Sequence, residues 1–250
     1  MMIPFLYSAP EEPYSVHIMR CLSNFEIIFP IFELTLKRIF NLKKSELKEN
    51  LRQMILFHDL GKLTKRWQEA VKNKKSTPPH AAIGAAYIWK SLPDNEGLKD
   101  LKYSMVFAIA IHHTDSGLLG DNIERPDVQA ILEGVADYEG KIIWHENAEE
   151  LFQENSSEYF PKEARDLSIF DLKEMARGLR VWAKGGSILK QHKRRMQACL
   201  SHHIFKLCDI SAAIERREFQ KDNGQDYYGG WLMVKEIGKY VENISQRVKL

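Results

Sequence analysis

Apolar residues recur at helical spacing along nearly the whole chain, and this periodicity narrows the possible folds more than any other feature. Leu51, Met54, Ile55 and Phe57 mark the buried stripe of a helix ending near His58. Leu101, Met105, Ala108, Ile109 and Ile111 mark another, ending near His112. Pro78 and Pro79 precede a third helix over 81–89, because proline is preorganised for a helix start. Its Ala81, Ala82, Gly84, Ala85 and Ala86 are small enough for close packing against neighbours. Residues 198–219 read as a long helix, with Leu200, Ile204, Leu207 and Ile214 on one side, and 231–248 as a further amphipathic stretch. Residues 141–144 are a short strand candidate, but nothing alternates over a longer window. The expected fold class is therefore all-α. Loops are expected at 73–79, 93–97, 114–126, 185–186 and 222–230.

At 250 residues the chain is expected to form one domain over 1–250, with 138–167 as a surface insertion and 219–250 as a C-terminal helical extension. Three cysteines, Cys21, Cys199 and Cys208, form no C-x-x-C and cannot all pair. That argues against a disulfide scaffold and for a reducing, cytoplasmic location. No apolar run approaches a membrane span, so no membrane partner is expected. The net charge of +2 averages over uneven segments. Residues 62–75 carry six basic residues and one acid, and 177–206 carry eight basic residues and no acid. Residues 133–166 reverse this, with ten acids against three bases. Such separation can present a basic face to a polyanion.

The histidines carry the chemistry. His58 and Asp59 sit together at a helix end in F-H-D-L-G-K. Helical neighbours diverge by about 100°, so a cation between the two directions can touch both. Lys62 returns to the same face on a continued helix, where its ammonium could meet a phosphate oxygen. Gly61 permits a close approach or a change of backbone direction. A lone His-Asp pair says little, but His80 opens the small-residue helix and His112 and His113 close the apolar one. Asp209 lies in an otherwise apolar stripe, L-C-D-I-S-A-A, where a carboxylate needs a partner that a metal can supply. His145 and His192 read as surface residues, His202 as a candidate for orienting the site, and Cys208 as a small core residue.

The order H…HD…H…HH…D, with G-K after the HD, resembles the HD superfamily of metal-dependent phosphohydrolases. Tyr7 to Pro10 (Y-S-A-P), His17 in E-P-Y-S-V-H-I, H-D-L-G-K from His58, H-A-A-I-G from His80 and His112–His113 resemble more specifically the HD nuclease domain of the CRISPR-associated nuclease–helicase of type I systems. The resemblance implies an HD-domain helical bundle with a metal site between core helices. It implies one metal held by His17, His58, Asp59 and Asp209, and a second held by Asp59, His80, His112 and His113. Imidazole and carboxylate donors suit Mn, Co, Ni, Fe or Mg.

The resemblance further implies a metal-dependent nuclease of CRISPR antiviral defence, with catalytic roles for Asp59 and Lys62. The chain contains no G-x-x-x-x-G-K-[ST], so a separate CRISPR-associated helicase and interference complex are the expected partners. Single-stranded nucleic acid is the expected substrate, DNA before RNA. Lys62, Lys65, Arg66, Lys193, Arg194 and Arg195 are candidate phosphate contacts if the two basic stretches share one mouth. Trp67, Trp89 and Trp182 are candidates for stacking on bases or for the core. The competing expectations are an HD phosphohydrolase of nucleotides or cyclic nucleotides, and a non-catalytic module that recruits a helicase.

Overall fold

The computed structural model describes residues 5–113, 134–154 and 158–220, together with Tyr240, Asn243 and Gln246. The expected loops at 114–126 and 222–230 lie outside the described residues, as does the stretch 231–248 apart from those three positions. Among the described residues the regular structure is helical except for an antiparallel hairpin, β1 (Tyr7–Ala9) and β2 (Glu12–Pro13), which pairs Tyr7 with Pro13 and Ala9 with Glu12. No described helix is long and apolar enough to cross a membrane.

Helix α1 (Tyr14–Phe40) follows Pro13 directly and stops at Asn41, whose left-handed backbone lets its N–H reach the Lys37 carbonyl. Helix α2 (Lys44–Phe57) opens with the Glu46 carboxylate accepting the Lys43 N–H, and it ends at His58. A 3-10 turn (Leu60–Leu63) then leads into α3 (Lys65–Lys72). The small-residue helix is α4 (Ala81–Ser91), and α5 (Lys99–Ala110) runs into the His112–His113 turn. After α6 (Glu146–Glu154) come α7 (Ile169–Lys184), capped by Ser168, and α8 (Ile188–Gln220).

Helix α8 packs chiefly on α1 and α5, and α4 lies against α5 and α7. Their facing stripes form the core: Ile18, Cys21 and Phe25 of α1, Met54 and Ile55 of α2, Ile83 and Ile88 of α4, Val106 and Ile109 of α5, and Ile204 and Phe205 of α8, all fully buried. Two glycines set how closely α4 approaches the end of α2. A Cβ on Gly84 would overlap the His58 carbonyl, and one on Gly61 would overlap the His80 backbone. The close approach at Gly61 is thus to the chain itself.

Several expectations change. Helix α8 begins about one-third of its length before residue 198, so the basic stretch around Lys193 is helical instead of preceding the helix. The strand expected at 141–144 forms isolated bridges, Lys141 with Ser168, Ile142 with Ala136 and Trp144 with Thr64. The segment 138–167 is no mere surface excursion, because Ile142, Trp144, Phe152, Phe160 and Leu167 are buried in the shared core. His145 is buried rather than on the surface, with Nδ1 accepting the Asn147 N–H and Nε2 3.2 Å from Lys72 Nζ.

Candidate metal centre

Five elements deliver the ligand-type side chains to one place. His17 comes from the first turns of α1, His58 and Asp59 from the end of α2, and His80 from the residue preceding α4. His112 and His113 come from the turn after α5, and Asp209 from the middle of α8. The Lys206 ammonium donates to the His112 carbonyl at 2.8 Å, tying that turn to α8. His17, His58, Asp59 and His112 are almost fully buried, and Asp209 is 17% exposed. The site therefore lies in the core, open to solvent at Asp209 and at His113, which is exposed.

Two of the histidines are held with Nε2 facing inward. His58 Nδ1 lies 2.7 Å from the Ile55 carbonyl and His112 Nδ1 2.6 Å from the Ile109 carbonyl. A carbonyl can only accept, so Nδ1 carries the proton in both rings and Nε2 keeps its lone pair. Metal-binding histidines are oriented in this way. Glu12 plays a similar part for His17, with Oε2 3.4 Å from Nδ1. Glu12 is itself fixed by Ser8 Oγ at 2.7 Å and Arg20 at 3.0 Å.

Asp59 divides the donors into two sets. Its Oδ2 is 3.4 Å from His17 Nε2 and 3.3 Å from His58 Nε2. Its Oδ1 is 3.1 Å from His80 Nε2 and 3.9 Å from His112 Nε2. Asp209 Oδ1 completes the first side, 3.4 Å from His17 Nε2. His113 completes the second, its Nε2 2.8 Å from His80 Nε2. Donors bound to one ion at about 2.1 Å stand about 3.0–3.4 Å apart for octahedral or tetrahedral edges. Most of these separations fall close to that range.

The donor set fits divalent cations on chemical grounds too. His58 Nε2 and Asp59 Oδ1 are buried without a hydrogen bond, which is costly unless something positive is shared. Two imidazole nitrogens as close as those of His80 and His113 either share a neutral N–H···N hydrogen bond or face a common cation. A second proton on these rings is disfavoured. Burial, with the neighbouring His113 and His80, pushes His112 well below the ordinary histidine range. His113, although exposed on one side, is taken to about 3 by its partial burial and then by His80 and Lys62, and burial lowers His80. Burial opposes ionisation of Asp59, but His58 and Lys62 outweigh it and hold the carboxyl well below its usual range. Asp209 is likewise held low against its burial, by His17 and His58. The histidines of the second set are kept neutral and both aspartates ionised, the forms in which they bind metal.

The other candidates fall in different places. Lys62 lies in the 3-10 turn, 12% exposed, with Nζ 2.6 Å from Asp59 Oδ2 and above the Trp67 ring. Lys65 and Arg66 are exposed at the start of α3, beside Lys62. Lys193, Arg194 and Arg195 are not at this mouth. Arg194 precedes Asp209 by fifteen residues of one helix, about 22 Å of rise. Its guanidinium donates to the Trp182 and Gly185 carbonyls and lies against the Trp182 ring, closing the end of α7.

The three candidate tryptophans serve packing instead of offering free stacking faces. Trp67 and Trp182 are buried, Trp182 donates to Asp100, and Trp89 packs on Tyr103 and Gly178. One neighbour of the site was missed from sequence. Cys21 lies one turn beyond His17, its Sγ 3.6 Å from His17 Nε2, and groups with His17, His58 and Asp209. The i, i+4 spacing from His17 was the available signal.

No family model and no curated protein matches this sequence. The described fold is all-α, and it is similar to that of a solved HD domain. A solved structure, the CRISPR-associated Cas3 HD domain protein from Methanocaldococcus jannaschii, is similar to it with a TM-score of 0.56 and 18% identity. The similarity covers 82% of this chain and 100% of that one.

Proposed function

We propose that this chain is a metal-dependent nuclease that hydrolyses phosphodiester bonds in single-stranded nucleic acid, with DNA the expected substrate. One observation carries the reading: the two oxygens of Asp59 face two separate donor sets, His17, His58 and Asp209 on one side and His80, His112 and His113 on the other. Such an arrangement suits two divalent ions sharing a carboxylate. Bound there, the ions would supply a nucleophilic hydroxide at neutral pH and polarise the phosphoryl oxygens. Asp59 would hold both in register. Lys62, at the opening, would offset negative charge gathering on the non-bridging oxygens. Lys65 and Arg66 would guide a phosphate backbone towards it without reading bases.

The likeness to a CRISPR-associated Cas3 HD domain protein supports placing the chain in CRISPR defence, and the partner proposed for it is a separate helicase, since the sequence holds no G-x-x-x-x-G-K-[ST]. The imidazole-rich sets favour transition ions over Mg, which prefers oxygen ligands. The test is hydrolysis by chelator-stripped protein after addition of Mn, Co, Ni or Mg, with labelled oligonucleotides in one arm and nucleotides and cyclic nucleotides in the other. Oligonucleotide cleavage restored at least as well by Mn, Co or Ni as by Mg is the expected result. Turnover of nucleotides alone would make the chain a phosphohydrolase of small substrates, and no turnover of either would make it a binding module.

A further inference from the structure

We propose that Cys21 is a further protein ligand of the first metal, a thiolate beside His17, His58 and Asp209. The inference rests on the metal-centre reading above and extends it to a residue outside the imidazole and carboxylate set. Cys21 is fully buried on the face of α1 that carries His17. The donor atoms of Cys21, His17, His58 and Asp209 all lie within 4.8 Å of one another.

The separations fit a sulfur ligand. With bond lengths of about 2.3 Å to sulfur and about 2.1 Å to nitrogen, a tetrahedral edge between them is about 3.6 Å. The Sγ to His17 Nε2 distance is 3.6 Å. The corresponding edge from nitrogen to a carboxylate oxygen is about 3.4 Å, and His17 Nε2 to Asp209 Oδ1 is 3.4 Å. A second observation points to a ligand at the same place: His58 Nε2 is buried, makes no hydrogen bond and faces this group. The alternative is a thiol that donates weakly to His17 Nε2 in a packed core. In that alternative His17 Nε2 is engaged by the thiol and by the Asp59 and Asp209 carboxylates, each 3.4 Å away, and no ion is held.

Ligation replaces the S–H bond with a sulfur–metal bond, and the thiol proton leaves to solvent. The consequence is an asymmetric centre. A thiolate draws Zn, Fe, Co or Ni and gives nothing to Mg. The first set would keep a transition ion in the presence of excess Mg, while the second set, without sulfur, exchanges more freely.

The test loads the intact chain with Co(II) and records its absorption alongside metal content. A sulfur-to-cobalt charge-transfer band in the near ultraviolet is expected in the parent protein, lost in Cys21→Ser and kept in Cys208→Ser. X-ray absorption of the Zn-loaded parent chain, which needs no variant, should show a sulfur neighbour at about 2.3 Å. Uptake of metal without the band or the sulfur neighbour overturns the proposal and leaves the metal centre standing. A band that survives Cys21→Ser, or vanishes in Cys208→Ser, overturns it as well. Failure to take up Co(II) or Zn(II) at all removes the metal centre and this ligand with it. None of these readouts depends on cleavage, so an inactive chain showing the Cys21 band would sink the nuclease reading alone.

Discussion

Asp59 stands where the two histidine sets meet, and its substitution should separate folding from function. Asp59→Ala removes the carboxylate that both sets face, yet it also relieves a buried charge, so the helical spectrum should remain nearly intact. Cleavage should be abolished. Metal content should fall further than in His17→Ala or His80→Ala, each of which touches one set. Full metal occupancy in Asp59→Ala would remove its bridging role. Lys62 gives the complementary case. Its ammonium sits 2.6 Å from Asp59 Oδ2, where it repels any cation sharing that oxygen. Lys62→Met should therefore hold metal at least as tightly while turnover drops by about 10²–10³, as when an electrostatic stabiliser is removed. Metal analysis beside a cleavage assay decides it, and loss of metal would make Lys62 a structural partner of Asp59. At this scale the sequence was informative where chemistry forces rare residues into apolar stripes, as at Asp209 and the His112–His113 pair. It was silent on Glu12 and Cys21. A buried glutamate in the short hairpin Tyr7–Pro13 and an isolated cysteine look like ordinary surface and core until their neighbours are known.

The elements hold the centre through close backbone contacts, and glycine makes these testable. An exposed helical Gly→Ala normally stabilises by about 0.5–1 kcal/mol. In α4, a Cβ on Gly84 would overlap the His58 carbonyl, so the sign should reverse. Gly84→Ala should cost about 1–3 kcal/mol, the usual penalty for overpacking, read as a lower midpoint in urea. An unchanged or raised midpoint would show that α4 does not press on the end of α2. Helix α6 offers a second test through pH. His145 Nδ1 accepts the Asn147 N–H at the start of α6, and burial, aided by Lys72, lowers its affinity for protons. A histidine with a depressed folded pKa contributes stability that is complete above its unfolded value, about 6.5, and is lost as pH falls through the folded value. Amide protection across Glu146–Glu154 should thus decline on acidification below about pH 6.5, and His145→Ala should remove about 1 kcal/mol of capping and the pH dependence together. Protection that is flat over that range would leave His145 a packing residue. The helix ends at His58 and His112 were legible because apolar stripes stop there. The hairpin at Tyr7–Pro13 was not, because strands of three and two residues are too short to show alternation. The start of α8 was missed because Lys190 to Arg195 supply no apolar stripe, and its exposed first turns are held instead by Arg194 on the end of α7.

Across the whole molecule the two basic stretches part company, and that geography shapes how a substrate can bind. The first surrounds Lys62 and exposes Lys65 and Arg66 at the start of α3, next to the opening. The second, around Lys193 and Arg195, stands about 22 Å of helix rise from Asp209. A rigid duplex must bring one scissile phosphate to a recessed centre whose aspartates are 1% and 17% exposed. A flexible single strand can bend in. The isolated chain should therefore cut single strands well above matched blunt duplexes, with no response to ATP, and should degrade duplex once a helicase and ATP are supplied. Binding that rests on phosphates should weaken steeply as salt rises. Charge reversal locates the path: Lys65→Glu with Arg66→Glu should weaken single-strand binding and flatten its salt dependence, whereas Lys193→Glu with Arg195→Glu should leave cleavage by the isolated chain unchanged. Gel assays with metal present and ATP varied, run on both double variants, decide between these outcomes. Equal or faster cutting of the blunt duplex would overturn the single-strand reading. A loss of binding confined to the Lys193 and Arg195 variant would move the substrate path from the α3 side of the molecule to the far end of α8.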